Sequence, residues 1–98
     1  MAMFLVLRSR SGPKWKRGAP LEEQDGWLEH AAFMDGLTDA GFVVLAGPLA
    51  DEHRVALAIE AESVEAVRAT LDRDPWTGSH LATEAIEPWT IRLDGRRR

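Results

Sequence analysis

Two segments of the chain, residues 3–9 and 42–46, have the composition of β-strands and are apolar on both alternating faces. The first reads Met-Phe-Leu-Val-Leu before Arg8, and the second reads Phe-Val-Val-Leu-Ala before Gly47-Pro48. A β-sheet with one face in water alternates apolar and polar residues along its strands. A sheet that contains these two strands therefore needs cover on both faces, which is the strongest constraint on the fold.

The remaining segments predict two helices and two further strands. Residues 21–40 have a helical period, and Gly41 is the residue type expected just past a helix C-terminus. Alternating apolar residues over 55–59 predict a third strand, Ser63 is a suitable N-cap for a second helix, and residues 82–93 predict a last strand. The order β-α-β-β-α-β predicts a ferredoxin-like α+β sandwich, an antiparallel four-stranded sheet with two helices on one face.

Two helices can cover only one face of such a sheet. We therefore expect a second copy of the chain to cover the other face, because most soluble oligomers are symmetric homodimers. The two sheets would then close as a dimeric α+β barrel. We expect a single domain over residues 1–98, with a basic loop at 10–20 that is punctuated by Gly and Pro, and a basic tail at 94–98.

Composition excludes several classes of function. The chain has 98 residues, no cysteine and a formal net charge of −4 at pH 7. The lack of cysteine excludes disulfides, thiolate metal sites and thiol nucleophiles, and the net charge argues against a nucleic-acid partner. No apolar run approaches the roughly 20 residues that span a bilayer, and the apolar N-terminus has neither a basic leader nor a cleavage site. We therefore expect a cytoplasmic protein with no membrane partner.

Basic side chains gather early in the chain and at its end. Five lie between Arg8 and Arg17, and three arginines close the chain. The simpler interpretation is a solvated loop and a frayed tail, and a binding patch is the alternative.

A histidine falls in the middle of the apolar face of the first predicted helix. At about 100° per residue, His30 shares that face with Trp27 at i−3 and Met34 at i+4. Histidine is the side chain best suited to proton transfer near neutral pH. The alternative is a buried structural histidine that is bonded to a backbone carbonyl.

An aspartate opens the turn Asp74-Pro75-Trp76 at the expected end of the second helix, because the residue before a proline avoids the helical conformation. In this topology the two helices lie side by side on one face of the sheet. Asp74 is therefore a candidate to orient His30 and to stabilise its charged form. Spacing does not say whether the two side chains touch, and a simple turn aspartate is the alternative. We take His30 and Asp74 as the candidate catalytic residues.

Residues near this pair are candidates for a small-molecule pocket. Gly47 and Pro48 end the second strand, where a glycine lets a backbone or ligand approach closely. Trp15 lies in the long loop and could close over the pocket, or serve as a contact surface. The alternative for Gly47 and Pro48 is a simple hairpin exit without a binding role. The alternative for Trp76 is a side chain that fills the edge of the core. The candidate substrate-binding residues are Trp27, Met34, Gly47, Pro48 and Trp76.

The sequence predicts no metal site and no cofactor. His53 and His80 lie in predicted turns and form no metal-type spacing with each other or with His30. Phosphate-binding and nucleophile-elbow motifs are absent. Neither Ser63 nor Ser79 has a local base, so a serine nucleophile is not indicated.

With these features in place, the chain resembles the YCII-related (DGPF-type) family of small proteins over roughly residues 2–93. The resemblance rests on the apolar first strand, His30-Ala31-Ala32-Phe33-Met34, Gly41-Phe42-Val43-Val44-Leu45-Ala46-Gly47-Pro48-Leu49, Asp74-Pro75-Trp76 and Trp89-Thr90-Ile91. It implies a ferredoxin-like fold in a dimeric α+β barrel. It also implies an active site in which the helix-one histidine and the aspartate of the Asp-Pro-aromatic turn act together, and those roles fall on His30 and Asp74. Relatives often carry Phe or Tyr in place of Trp76, and the basic loop 10–20 is a further departure.

Two functions remain in contention. The first is a small-molecule acid–base enzyme of lyase or isomerase type, in which His30 moves a proton and Asp74 orients it. The second is a non-catalytic homodimer that binds or senses a small ligand in the same pocket. RNA binding is disfavoured because the third strand lacks aromatic residues on which bases could stack. Cofactor-free oxygenase chemistry is compatible with the fold, but no residue indicates it.

Overall fold

A computed structural model describes residues 1–97 and shows a four-stranded antiparallel sheet with two helices against one face. Its main elements are β1 (Ala2–Ser9), α1 (Trp27–Asp39), β2 (Val43–Pro48), β3 (Arg54–Ala61), α2 (Val64–Leu71) and β4 (Ala82–Pro88). The strand order is β2-β3-β1-β4, so β1 and β3 form the centre of the sheet. The predicted ferredoxin-like α+β arrangement is confirmed. In the predicted basic tail at 94–98, Arg98 lies outside the described residues.

The core lies between the sheet and the helices. Phe4 and Val6 of β1 face it, as residues two apart on a strand must do together. Val67 and Leu71, four apart on α2, are fully buried against the sheet. Each such side chain contributes roughly 1.5–3 kcal/mol by leaving water. Ser63 starts α2 as predicted, because its Oγ accepts a hydrogen bond from the backbone N–H of Ala66 at 3.0 Å.

The opposite face of the sheet is also apolar. Met3, Leu5 and Leu7 lie on it and are half-buried, and Leu45 of β2 is 63% exposed. Within residues 1–97 neither helix covers this face, since both pack on the side of Phe4. The two-faced pattern of β1 therefore corresponds to a core face and a second face that neither helix covers, which we call the open face. Residues 89–96 lie against part of the open face, beside Met3 and Leu45.

The first helix begins six residues later than its periodicity predicts. Leu21–Glu23 form a single 3-10 turn, and α1 starts at Trp27. The backbone leaves the helical conformation between them, because Gln24 is extended and Gly26 has a left-handed φ of 78°. Apolar periodicity alone does not record such a break.

The C-terminus of α1 follows the prediction. Gly41 has a φ of 82°, which favours glycine. Its N–H donates to the carbonyl of Thr38, and the N–H of Phe42 donates to the carbonyl of Leu37. These two bonds are those of a Schellman motif, and they satisfy carbonyls that the end of a helix would leave unpaired.

Two strand details differ from the prediction. β4 ends at Pro88 rather than at residue 93. One further backbone bond to β1 follows, from the N–H of Trp89 to the carbonyl of Met3 at 2.9 Å. In β2 the register against β3 shifts between Val43 and Leu45, which marks a β-bulge. Val43 therefore faces the core while Leu45 faces the open side, although strict alternation would place both on one face.

The basic loop 10–20 lies against the turn that follows α2. The N–H of Gly12 donates to the carbonyl of His80 at 3.1 Å, and the N–H of Lys14 donates to that of Ser79 at 2.8 Å. Further along, the buried amide of Gln24 donates to two carbonyls of the loop and accepts the backbone N–H of Lys16. The loop is therefore held at both ends.

Gly12→Ala is expected to destabilise the protein by about 1–3 kcal/mol, the usual range for overpacking. A Cβ at this position would collide with the carbonyl of Ser79 and the backbone N of His80. Urea unfolding measures the change. Gly36→Ala is the matched control, because a Cβ there meets no atom within 4 Å and the position is helical. The control should gain about 0.5–1 kcal/mol, and a Gly12→Ala variant as stable as the parent would contradict the docked loop.

No helix of the described part of the chain is both long and apolar enough to cross a membrane.

Candidate functional site

His30 and Asp74 form a hydrogen-bonded pair. Nδ1 of His30 lies 2.8 Å from Oδ1 of Asp74, although 44 positions separate them in the chain. The first turn of α1 carries the histidine, and the turn after α2 carries the aspartate. The backbone N–H of Trp76 donates to the same Oδ1 at 2.9 Å and fixes the carboxylate. The contact between His30 and Asp74, which sequence spacing could not establish, is therefore present.

An arginine completes this cluster. Nη1 of Arg8 donates to Oδ2 of Asp74 at 2.8 Å, and both side chains are almost fully buried. Nη2 of Arg8 donates to Oγ1 of Thr77, whose hydroxyl donates to the carbonyl of Leu71 at 2.6 Å. The interpretation of the early basic residues as a solvated loop is wrong for Arg8. The available signal was strand parity, since Arg8 lies on the same face of β1 as Val6.

Asp74 carries a negative charge at neutral pH. Burial by itself raises the pKa of a carboxyl group, but hydrogen bonds from His30, the Trp76 backbone and Arg8 outweigh it and hold the pKa of Asp74 below its ordinary value. An ionised carboxylate only accepts hydrogen bonds, so Nδ1 of His30 is the protonated nitrogen. In the neutral ring, Nε2 then keeps its lone pair.

A cavity of about 370 Å³ lies under α1 and is lined by His30. It is bounded by α1, by the last residues of β2, and by residues of β1 and β3. Asp74 is not among the lining residues and lies behind the histidine. All five candidate substrate-binding residues line this cavity: Trp27, Met34, Gly47, Pro48 and Trp76.

The Trp76 ring is stacked between two imidazoles. Its centroid lies 4.0 Å from that of His30 with an interplanar angle of 7°, and 4.6 Å from that of His80 with an angle of 15°. Its Nε1–H donates to the carbonyl of Asp25 at 2.8 Å, which anchors the indole. Trp76 therefore holds the plane of the His30 ring. The sequence could not show this stack, because His30 comes from α1 while Trp76 and His80 come from the turn after α2, which packing brings together.

Trp15 does not line the cavity. It packs edge-on against Trp76 with a centroid distance of 5.9 Å and against His80 at 6.4 Å. Of the two roles considered for Trp15, closing over the pocket is not what the structure shows. The side chain instead supports the stack from the loop side.

His80 is a buried, neutral histidine. Oγ of Ser79 donates to the carbonyl of Pro75, so Nδ1–H of His80 donates to that Oγ at 2.9 Å. Burial lowers the pKa of His80, Asp25 partly opposes this shift, and Lys14 reinforces it. Among the residues described, Nε2 of His80 and Nε of Arg8 are the buried side-chain atoms without a hydrogen-bond partner.

The lowered pKa of His80 predicts a loss of stability in mild acid. In the unfolded chain His80 is protonated near histidine's ordinary pKa of about 6.5. In the folded chain His80 is protonated only at a lower pH, because its pKa is lowered. Stability is therefore full above that ordinary value and declines as pH falls toward the folded value. Urea unfolding between about pH 7.5 and 5.5 should show a smaller loss for His80→Phe than for the parent. His53→Gln, at an exposed position, should lose as much stability in acid as the parent. Equal losses in the parent and in both variants would contradict the lowered pKa of His80.

The structure thus gathers the seven candidate site residues around one cavity, with six on its wall and Asp74 behind His30. Within residues 1–97, no group of three or more His, Asp or Glu side chains is placed to hold a metal ion. Comparison with protein-family models, curated proteins and solved structures finds no match for this chain.

Proposed function

We propose that this protein is a small-molecule acid–base enzyme of lyase or isomerase type, in which His30 moves the proton. The observation that carries the proposal is that His30, on the wall of an apolar cavity, makes a 2.8 Å hydrogen bond to the buried Asp74 behind it. Asp74 holds Nδ1–H, which leaves Nε2 as the nitrogen that can accept a proton from a substrate. Asp74 is itself held by Arg8 and by the Trp76 backbone, so the base is positioned before substrate arrives.

Two contacts stabilise positive charge on the His30 ring once it has taken the proton. The Asp74 carboxylate compensates that charge directly. The face of Trp76, 4.0 Å away, adds a cation–π interaction. Proton removal by Nε2 therefore forms an ion pair that the site already accommodates, and return of the proton to a different atom of the substrate would complete an isomerisation.

The size and lining of the cavity favour a small and largely apolar substrate. At about 370 Å³ it lies near the lower end of ordinary ligand pockets. Trp27, Met34 and Trp76 are among the large apolar side chains of its wall. The resemblance to the YCII-related family supports the same assignment, and we include membership of that family in the proposal.

The first test concerns the tautomer of His30. Nitrogen-15 NMR of the imidazole should show that Nδ1 carries the proton in the neutral ring and that Nε2 does not. An Nε2-protonated ring would contradict the proposed base.

The second test asks for turnover. Small cyclic ketones and lactones with an acidic C–H are incubated with the protein in D₂O, and proton NMR follows the exchange of that hydrogen. We expect exchange faster than in buffer for members that fit the cavity. Ligands that bind without any accelerated exchange would favour the alternative function, a ligand-binding or sensing dimer.

We also propose that the protein forms a homodimer through the open face of its sheet. Support comes from the apolar side chains on that face, including Leu45 at 63% exposed. Sedimentation equilibrium at micromolar concentration should show a dimer, and Leu45→Glu should shift it toward monomer. Leu28→Glu is the matched control, because Leu28 is 76% exposed but lies on α1. A monomeric parent protein would rule the dimer out.

A further inference from the structure

The cavity wall contains a second arginine that the His30–Asp74 pair does not use. Arg10 follows β1, lines the cavity, and has only 11% of its side chain exposed. Its Nη1 donates to the carbonyl of Glu52 at 2.8 Å, and its guanidinium lies over the Trp15 ring at 4.9 Å from the centroid. These two contacts hold the guanidinium in place without neutralising it.

The positive charge of Arg10 is poorly compensated. The carboxylate of Glu52 is 3.7 Å from Nη1 and is 73% exposed, so water screens much of its attraction. Arg8 differs, because Asp74 compensates it at 2.8 Å with both groups buried. Asp35 also lines the cavity, but it is exposed, and salt and water weaken its field. The least screened net charge on the wall is therefore positive.

Two donors of Arg10 remain open. Within residues 1–97, neither Nε nor Nη2 of Arg10 makes a hydrogen bond, and neither is among the buried atoms that lack a partner. Both therefore keep contact with solvent. Nε–H and Nη2–H lie side by side in one plane, which is the fork that binds a carboxylate through two parallel hydrogen bonds.

We propose that the cavity binds a small apolar molecule that carries one carboxylate, with the carboxylate on Nε and Nη2 of Arg10. The apolar body would lie against Trp27 and Met34, within the same cavity that His30 lines. A monoanion matches the single uncompensated guanidinium. A phosphate monoester would bring a second negative charge into a largely apolar cavity, which is costly without a partner. The inference names the substrate class of the proposed enzyme, and its binding step does not depend on turnover.

Three planar molecules of nearly equal shape test the charge preference: benzoate, benzamide and benzamidine. Nitrogen-15 NMR titrations follow the indole N–H signals of Trp27 and Trp76, which both line the cavity. We expect benzoate to bind at least about 10-fold more tightly than benzamide, because its hydrogen bonds to arginine are charge-assisted. Benzamidine should bind most weakly. Equal affinities for the three, or a preference for benzamidine, would overturn the proposal.

Variants assign the preference to Arg10. Arg10→Gln should abolish the preference, so that benzoate binds no more tightly than benzamide. Arg10→Lys should keep part of the preference because it keeps the charge but loses the fork. Arg68→Gln removes the same charge from an exposed position on α2 and should bind benzoate like the parent. Benzoate preference that survives in Arg10→Gln would overturn the proposal, and Arg10→Lys provides the comparison if the glutamine variant is unstable.

Experiments can contradict the carboxylate site and the proposed enzyme activity independently of each other. His30→Gln should keep the preference for benzoate over benzamide while losing proton exchange. Benzoate preference without exchange in the parent would retain the carboxylate site and remove the enzyme. Exchange of neutral ketones without any benzoate preference would retain the enzyme and remove the carboxylate site.

Discussion

His30→Gln is expected to lower catalysed proton exchange by about 10²–10⁴-fold, the contribution that general acid–base catalysis usually makes. Glutamine is similar to histidine in size and polarity, which limits the change at the cavity wall. It cannot accept a proton near neutral pH, and this removes the one property that the proposal requires of Nε2. Exchange of a cyclic C–H acid in D₂O measures the effect.

The control for this variant is His53→Gln, the same substitution at an exposed histidine outside the cavity. It should exchange at the rate of the parent. The affinity of His30→Gln for a bound ligand should also be close to that of the parent, because the loss lies in proton transfer and not in binding. If His30→Gln retains the exchange rate of the parent, His30 is not the base.

Asp74→Asn is expected to lower the free energy of unfolding by about 3–5 kcal/mol, the range for breaking a buried ion pair from one side. The substitution leaves the Arg8 guanidinium without a counter-charge in a place where its side chain is 1% exposed. Domains of this size have a total stability of roughly 5–15 kcal/mol, so the loss is a large share. Urea unfolding monitored by tryptophan fluorescence measures it.

A double variant separates the buried charge from a general packing defect. Arg8→Met with Asp74→Asn removes both charges and should recover part of the stability that Asp74→Asn alone loses. Asp72→Asn, two positions earlier and exposed, is the matched control and should cost little. Two results would contradict the role of the ion pair. One is an Asp74→Asn variant as stable as Asp72→Asn, and the other is a double variant less stable than Asp74→Asn alone.

Asp74 should also make the stability of the protein depend on pH in strong acid. The pKa of Asp74 is lowered in the folded protein, so its contribution to stability is present above the ordinary pKa of aspartate, about 3.9, and is lost as pH falls through the lower folded value. Asp74→Asn should remove this part of the acid dependence, which acid titration of the parent and the variant would show.

Several structural features follow from short-range chemistry, and the sequence was enough to predict them. Ser63 caps α2 because its hydroxyl meets an N–H three residues away, and Gly41 ends α1 because its backbone takes a positive φ. The element order follows from apolar periods of two and of about 3.6 residues. The start of α1 was mispredicted, since a periodic pattern does not record the left-handed turn at Gly26.

The site was only partly predictable. His30 stood out because a titratable ring lay on an apolar helix face, and Asp74 because it preceded a proline. Arg8 was misassigned to a solvated loop, although its parity with Val6 placed it on the core face. Nothing in the local sequence marks His80 as the second ring against Trp76.

By itself, the sequence determined the order of elements, the two-faced apolar strands, and the residue types from which an acid–base site could be built. Periodicity and capping depend on neighbours within a few positions, which a sequence displays directly. Only the tertiary structure decided that His30 touches Asp74, that Arg8 compensates the carboxylate, and that Arg10 remains uncompensated on the cavity wall. These depend on ångström-scale contacts between segments that packing brings together, and no spacing along the chain encodes such distances.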